Sequence, residues 1–228
     1  MAGLNSAVLH CLKFKTNKLM ELKFEQVITT EKELREIMGY PSEIVTRKTI
    51  DHIDEHCKSF IEKSPFITIA TSDLNGNFDV SPKGDPAGFV KILSDKLLAI
   101  PDRPGNRKAD TLRNIIQNPS IGLIFLIPGI KETLRVNGEA KIVRDEKVLE
   151  QLSCQGKTPS FAIIVQVKEA FMHCAKCMIR SNLWGTIDDT QERPVPSLGK
   201  VLVDHGKLEI SYEELDDRIK NDEKTNLY

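Results

Sequence analysis

The sequence predicts a mainly β protein, an antiparallel barrel with helices at its ends, and three observations predict it. Six or more runs rich in β-branched and apolar residues lie between Phe66 and Phe171. Tight-turn chemistry joins most of them, at Asn75-Gly76, Ser94-Asp95 and Pro128-Gly129, where a parallel sheet would need long crossovers. Only one short helical pattern, Asp110 to Gln117, interrupts the strands. That arrangement suits a closed antiparallel sheet and not a βαβ repeat.

The totals agree with an ordinary soluble domain. The chain has 228 residues, of which 40% are hydrophobic and 29% charged, enough to bury a substantial core. A net charge of −1 argues against a nucleic-acid surface spread over the whole molecule. No apolar run approaches the roughly 20 residues of a membrane helix, so neither nucleic acid nor membrane is an expected partner. Cys11, Cys57, Cys154, Cys174 and Cys177 are irregularly spaced, which predicts reduced thiols in a cytoplasmic protein and no disulfide framework. The first nineteen residues are Lys-rich and free of acids but lack Arg; they read as an organelle address or, more simply, as a loose extension.

In chain order, Thr30-Glu31-Lys32-Glu33 is a capping box opening a short helix that Gly39 stops. A longer helix is predicted from Arg47 to Lys63, because Ile50, Ile53, Cys57, Phe60 and Ile61 share one face at a helical period; Ser64-Pro65 ends it. Phe66 to Thr71 and Asn77 to Val80 form a hairpin across Ser72–Gly76, and Ser81-Pro82-Lys83-Gly84-Asp85-Pro86 leaves its second strand. Phe89 to Leu93 and Lys96 to Ile100 make the next pair. The helix Asp110 to Gln117 ends at Asn118-Pro119 and is followed by strands Ile121 to Ile127 and Glu132 to Val143. Asp145 to Leu152 is helical, and Phe161 to Phe171 is the last strong strand. Beyond it, Arg193-Pro194-Val195-Pro196 is a rigid linker, and Ser211-Tyr212-Glu213-Glu214 caps a charged helix. The predicted organisation is an N-terminal extension over 1–27, a barrel domain with its leading helices over 28–190, and an extension with a helix over 191–228.

Three basic clusters follow strands. They are Ser81-Pro82-Lys83-Gly84-Asp85; Asp102-Arg103-Pro104-Gly105-Asn106-Arg107-Lys108-Ala109-Asp110; and His173 through Ser181, running on to Trp184. The second stands where a strand hands over to a helix, a place that offers backbone N–H groups and cations to a phosphate. Trp184 and Pro101 could flank a planar ring. On composition alone the three are equally well solvated strand-end loops.

Other constellations carry less. His52 and His56 lie at i, i+4, but no third ligand of matching spacing follows, and Asp54, Glu55 and Lys58 describe a solvated helix face. No metal is expected. Cys174 and Cys177 have the spacing of a redox pair or half a zinc site, yet a second pair is missing and no helix N-terminus is evident for the thiolate. No nucleophile–His–acid set is visible, and Asp51 with Asp54 reads as surface charge.

The stretch from Ile28 to Trp184, and Gly76 to Gly138 most closely, resembles the FMN-binding split barrel of the pyridoxamine 5'-phosphate oxidase-like family, in the branch known only as FMN-dependent enzymes. The resemblance is carried by Ser64-Pro65-Phe66, by Ser81 to Pro86 and by Pro101 to Lys108. Leu112-Arg113-Asn114, Asn118-Pro119, Pro128-Gly129 and Thr133 to Gly138 continue it, and His173 to Lys176 with Arg180-Ser181 and Leu183-Trp184 complete it. It implies a split β-barrel, non-covalent FMN and a homodimer with two equivalent flavin sites across the interface.

By that resemblance Arg107 and Lys108 match the basic pair placed on the FMN phosphate, with Asn106 the small polar residue before them. Ile100 and Pro101 match the strand end whose backbone meets the isoalloxazine. Ser81 matches a phosphate- or ribityl-contacting position, and Lys83 belongs to the same strand exit. Thr133 matches a position supplied by the partner subunit. Lys176, Arg180, Ser181 and Trp184 match the branch's C-terminal motif. Arg103 is left between the phosphate and solvent. The chain's last residues, Asp222 to Tyr228, lack the substrate-binding Arg and His of true pyridoxamine phosphate oxidases, so the expected substrate is another small molecule.

The expected function is an FMN-dependent oxidoreductase with unassigned catalytic residues. The alternative is a flavin- or haem-binding carrier or sensor without turnover, with His173 the nearest axial ligand for haem. A deazaflavin in place of FMN is also compatible with the sequence.

Overall fold

A computed structural model describes residues 24–186 and 193–228. Cys11 and the rest of the Lys-rich start lie outside the described residues. The chain divides into two compact units, Met1–Glu43 and Ile44–Tyr228.

In the first unit, α1 (Glu31–Met38) begins at the predicted capping box. Thr30 Oγ1 accepts from Glu33 N–H at 3.2 Å, and Glu33 Oε2 accepts from Thr30 N–H at 3.1 Å. Gly39, at φ +72°, ends the helix by donating to Arg35 O, a conformation that glycine reaches without a Cβ clash.

The helix predicted from Arg47 to Lys63 forms only over its second half, from Glu55. A short α2 (Glu43–Arg47) is followed by an extended approach and then α3 (Glu55–Lys63). Ile50 exchanges two backbone hydrogen bonds with Ala170, at 3.0 and 2.7 Å, and Asp54 caps α3 by accepting from Cys57 N–H at 2.8 Å. Ile50 and Ile53 match a helical period because they pack on the same core as Cys57 and Phe60, but they reach it from extended backbone. His52 therefore lies outside the helix that carries His56.

Seven strands follow: β1 (Phe66–Ser72), β2 (Phe78–Gly84), β3 (Lys91–Ser94), β4 (Leu97–Pro101), β5 (Ser120–Leu126), β6 (Thr133–Val143) and β7 (Ala162–His173). All pairings are antiparallel, in the order β2-β1-β5-β6-β7-β4-β3. The expected barrel is thus a split one, with β2 and β3 as its two edges and no ladder between them among the described residues. The inner faces of β1, β4, β5, β6 and β7 nevertheless share one core with α3, built on Ile61, Ile67, Ile69, Leu98, Ile100, Leu123, Phe125 and Leu134. Each such side chain contributes about 1.5–3 kcal/mol on burial.

Three strands differ from expectation by two residues or more at an end, β7 by running on to His173. β3 starts at Lys91, after Phe89. β2 continues through Ser81 and Lys83 to Gly84, although Pro82 reads as a stop. An edge strand tolerates proline because one side of its backbone has no ladder to donate to.

β6 and β7 are the longest strands and pair along their whole length, from Thr133↔His173 to Val143↔Ala162. A bulge between Asn137 and Gly138 bends them, and a Cβ at Gly138 would collide with the Gln166 carbonyl.

Four further helices complete the unit besides α4 (Asp110–Gln117), which sits between β4 and β5. On the outer face of β4, α5 (Glu146–Gln151) forms a second cluster of Ala99, Leu149, Leu152 and Ala162. β4 is consequently buried on both faces, so the loop that leaves Pro101 starts from a fixed point. A short α6 (Lys176–Ser181) follows β7. Finally α7 (Leu198–Gly206), which sequence reasoning did not foresee, pairs with the predicted α8 (Tyr212–Thr225). Gly199 N–H donates to Asp216 Oδ1 at 2.8 Å, and a Cβ there would lie 2.5 Å from that oxygen.

Candidate functional site

The alternation of β2 turns Asp79, Ser81 and Lys83 to one side of the sheet edge, and α4 packs against β1, β2 and β6. Thr111 and Asn114, both buried, face the strands from α4. Thr111 Oγ1 donates to Asp79 Oδ2 at 2.6 Å and stands 3.0 Å from Ser81 Oγ, which itself donates to Asp79 Oδ2 at 2.8 Å. Asn114 Nδ2 donates to Thr71 Oγ1 at 3.2 Å, and Asn118 Nδ2 to Ser72 Oγ at 3.0 Å. The Thr111 bonds hold the start of α4 against β2, and those of Asn114 and Asn118 hold the rest of it against β1.

Between Pro101 and α4 runs a loop with two ion pairs at its base. Lys83 Nζ lies 3.2 Å from Asp102 Oδ1, and Arg103 Nε lies 2.7 Å from Asp85 Oδ2. Arg103, undecided in the sequence, is turned inward onto Asp85 and the Leu152 carbonyl. Farther along, Asn106 Oδ1 accepts from Lys108 N–H at 3.0 Å. Arg107 and Ala109 both have left-handed backbone, at φ +61° and +59°. Lys108 Nζ is 2.6 Å from Asp110 Oδ2, and that hydrogen bond with its charge raises the Lys108 pKa; the Asp79 carboxylate adds to it. The Asp79 carboxylate is therefore within electrostatic reach of Lys108.

Ala109 occupies the N-cap of α4 and has no side chain to accept from the first-turn N–H groups. An eight-residue helix thus presents its positive end beside the exposed Arg107 and Lys108. A phosphate monoester is the kind of group that can accept from guanidinium, ammonium and backbone N–H donors together.

The remaining sequence-derived residues lie elsewhere. Thr133, buried, opens β6 opposite His173. Lys176, Arg180 and Ser181 are exposed on α6, where Ser181 Oγ donates to Met178 O at 3.3 Å. Trp184 Nε1 donates to Ile130 O at 2.8 Å, tying the segment after α6 to the β5–β6 turn. Pro101 pairs with Ala162 and Thr133 with His173, the two ends of a 12-residue strand that spans roughly 40 Å at ~3.3 Å per residue.

The chain therefore places Ser81, Lys83, Pro101, Asn106, Arg107 and Lys108 along β2, the end of β4 and the loop before α4. Among the described residues, no hydrogen bond or ion pair links that group to Thr133, Lys176, Arg180, Ser181 or Trp184. Ile100 belongs to the first group through its backbone alone, because its side chain is fully buried in the core.

Sequence reasoning passed over Asp79, Asp85, Asp102 and Thr111. Their signal was the alternation Asp79, Ser81, Lys83 and Asp85, visible only if β2 is carried past Pro82. A helix start does stand beside the cysteine pair, contrary to expectation: Cys177 is in the first turn of α6 and Cys174 just precedes it. Cys57, Cys154, Cys174 and Cys177 are all free thiols. Among the described residues no group of three or more His, Cys, Asp or Glu side chains converges, and no helix is long and apolar enough to cross a membrane.

A family model described as pyridoxamine 5'-phosphate oxidase matches residues 53–174, from the approach to α3 through the end of β7. No curated protein matches. Among solved structures, HupZ of Group A Streptococcus is 21% identical, over 53% of this chain and 93% of that one, with a TM-score of 0.45. An FMN-binding protein from Syntrophomonas wolfei is 15% identical, over 63% and 94%, with a TM-score of 0.40. HutZ, the haem storage protein from Vibrio cholerae, is 16% identical, over 52% and 93%, also with a TM-score of 0.40.

Proposed function

Since this chain belongs to the pyridoxamine 5'-phosphate oxidase family, we propose that it is a flavoprotein. It holds FMN non-covalently at the β4–α4 loop and serves as an FMN-dependent oxidoreductase for a small molecule. The observation that carries this reading is the loop itself, where the exposed Arg107 and Lys108 immediately precede the start of α4, which has no side-chain cap. FMN, when bound, supplies the electron transfer; the protein holds and tunes it. Arg107, Lys108 and the first-turn N–H groups of α4 take the phosphate. Ser81, braced by Thr111 and Asp79, stands by the ribityl side, and the backbone of Ile100 and Pro101 borders the ring. Lys83, held by Asp102, is the cation whose charge favours a reduced, anionic flavin.

The second group of residues supports a homodimer. Thr133, Lys176, Arg180, Ser181 and Trp184 are separated along β7 from the phosphate loop of their own chain, so we assign them to the flavin site of a partner copy. The free thiols support a cytoplasmic location.

The absorption spectrum of the purified protein tests the reading. A yellow protein whose flavin bands bleach with NADH or NADPH supports the oxidoreductase. A flavin spectrum indifferent to every donor would leave a carrier or sensor, and a Soret band would replace FMN by haem, with His173, half-buried at the end of β7, as its first axial candidate. A colourless protein that ignores added FMN sinks the proposal.

A further inference from the structure

The Arg103–Asp85 ion pair lies outside the proposed cofactor contacts, yet it is among the most enclosed charges in the protein, with side chains 16% and 3% exposed. Arg103 gives Nε to Asp85 Oδ2 at 2.7 Å and Nη2 to the Leu152 carbonyl at 2.9 Å. The other oxygen of Asp85 is taken from far along the chain. Tyr228 donates its hydroxyl to Asp85 Oδ1 at 2.7 Å, and its ring lies 5.5 Å from the Arg103 guanidinium. Lys157 Nζ, 2.6 Å from the Tyr228 carbonyl, fixes the backbone beneath. A cavity of about 120 Å³ beside the pair is lined by Asp85, Arg103, Leu152 and Cys154 among others.

Tyr228 thus touches both members of the pair at once. Its phenol stays a donor over the working range, because the bond to Asp85, and secondarily one to Cys154, pushes its pKa well above the usual tyrosine value. An enclosed carboxylate–guanidinium pair depends on having its remaining hydrogen-bonding capacity filled, and Tyr228 fills it from the carboxylate side while covering the guanidinium face. Arg103 is also a principal anchor of the stretch that ends in Asn106, Arg107 and Lys108. Besides it, that stretch is tied by Asp102 to Lys83 and by Lys108 to Asn106 and Asp110.

We propose that Tyr228 is a positioning residue for the phosphate loop, acting through Asp85 and Arg103 to hold Arg107 and Lys108 where an FMN phosphate needs them. The inference rests on the cofactor reading above. The full chain, Tyr228→Ala and Tyr228→Phe are titrated with FMN and with riboflavin, and each is digested briefly with trypsin. Tyr228→Ala weakens FMN about tenfold, the order of one hydrogen bond to a charged group, and leaves riboflavin unchanged. It also speeds cleavage after Arg107 and Lys108 severalfold. Tyr228→Phe keeps the ring over Arg103 and recovers part of both losses. The proposal is overturned if FMN and riboflavin weaken together, if Tyr228→Phe recovers nothing, or if cleavage at the loop is unchanged. A wild-type chain that binds neither flavin refutes the cofactor reading instead, while the cleavage rates still judge the positioning.

Discussion

Replacing Arg107 with alanine removes the one cation of the 102–109 loop that has no carboxylate partner among the described residues. Arg103 is paired with Asp85 and Lys108 with Asp110, whereas Arg107 is exposed and held in place by its own backbone. A hydrogen bond to a charged group is worth enough that losing this guanidinium should weaken FMN by about 10- to 100-fold. Lys108 must be shared with Asp110 at 2.6 Å and is exposed, so Lys108→Ala should weaken FMN only about 2- to 5-fold. Asp110→Asn should act in the opposite direction: it frees Lys108 and removes a negative charge beside the phosphate, tightening FMN although it removes an acidic residue from the first turn of α4. Quenching of flavin fluorescence gives all the affinities, with riboflavin as the phosphate-free control. Raising the salt from 0.1 M to 1 M shortens the screening length from ~10 Å to ~3 Å, so the preference for FMN over riboflavin should narrow. Equal losses for FMN and riboflavin in Arg107→Ala, or a weaker FMN complex in Asp110→Asn, would refute the phosphate assignment.

Three further perturbations test other parts of the molecule. Lys83→Met should lower the reduction potential of bound FMN by about 30 mV or more, a tenfold change for a two-electron couple; an unchanged potential in spectroelectrochemistry removes Lys83 from that role. Asn114→Ala leaves the buried Thr71 hydroxyl without its donor and should cost ~1–3 kcal/mol, read as a lower urea midpoint at constant slope. Asp51 is held at about 2 by hydrogen bonds from Lys96 and His52 and by the Lys96 charge. Its contribution is therefore present above about pH 4 and is lost as the pH falls toward 2. The stability gap between wild type and Asp51→Asn should close over that interval, and a gap that persists at pH 2 would assign the effect to something other than ionisation.

Much of the fold was legible because period and turn chemistry are local. The Asn-Gly hairpin forms as read, with Gly76 at φ +80° and Asp73 Oδ1 accepting from the N–H groups of Asn75 and Asn77. The failures at Ile50 and at Pro82 share one cause, which is that a distant partner decided the local structure. Ile50 and Ile53 carry a helical period, but Ala170 claims the backbone of Ile50. Pro82 signals a stop, but β1 pairs with β2 on through Lys83 and Gly84, and only the edge position makes that acceptable. In the site, the cations Arg107 and Lys108 stood out from their neighbours, whereas the acids that hold the loop did not. Asp79, Asp85 and Asp102 look like ordinary surface charge until the strand alternation and the loop bring each to its partner. The family resemblance assigned Thr133 to a partner subunit, but the distance along β7 between Thr133 and the 102–109 loop follows from the register of β6 against β7, which the sequence does not show.

The backbone on either side of Lys108 has a consequence for anyone who redesigns this chain. Two consecutive odd positions, Arg107 and Ala109, sit in a left-handed conformation that costs an ordinary residue about 1–2 kcal/mol each. Glycine at either place would relieve that cost, so a search for thermal stability should select it readily. At 109 the exchange keeps the shape of the loop, but at 107 it deletes the guanidinium. On the proposed phosphate site, a thermostability screen blind to flavin would favour at position 107 the variant that a screen on cofactor retention rejects, and disagreement between the two screens would mark opposed demands of folding and binding on one residue.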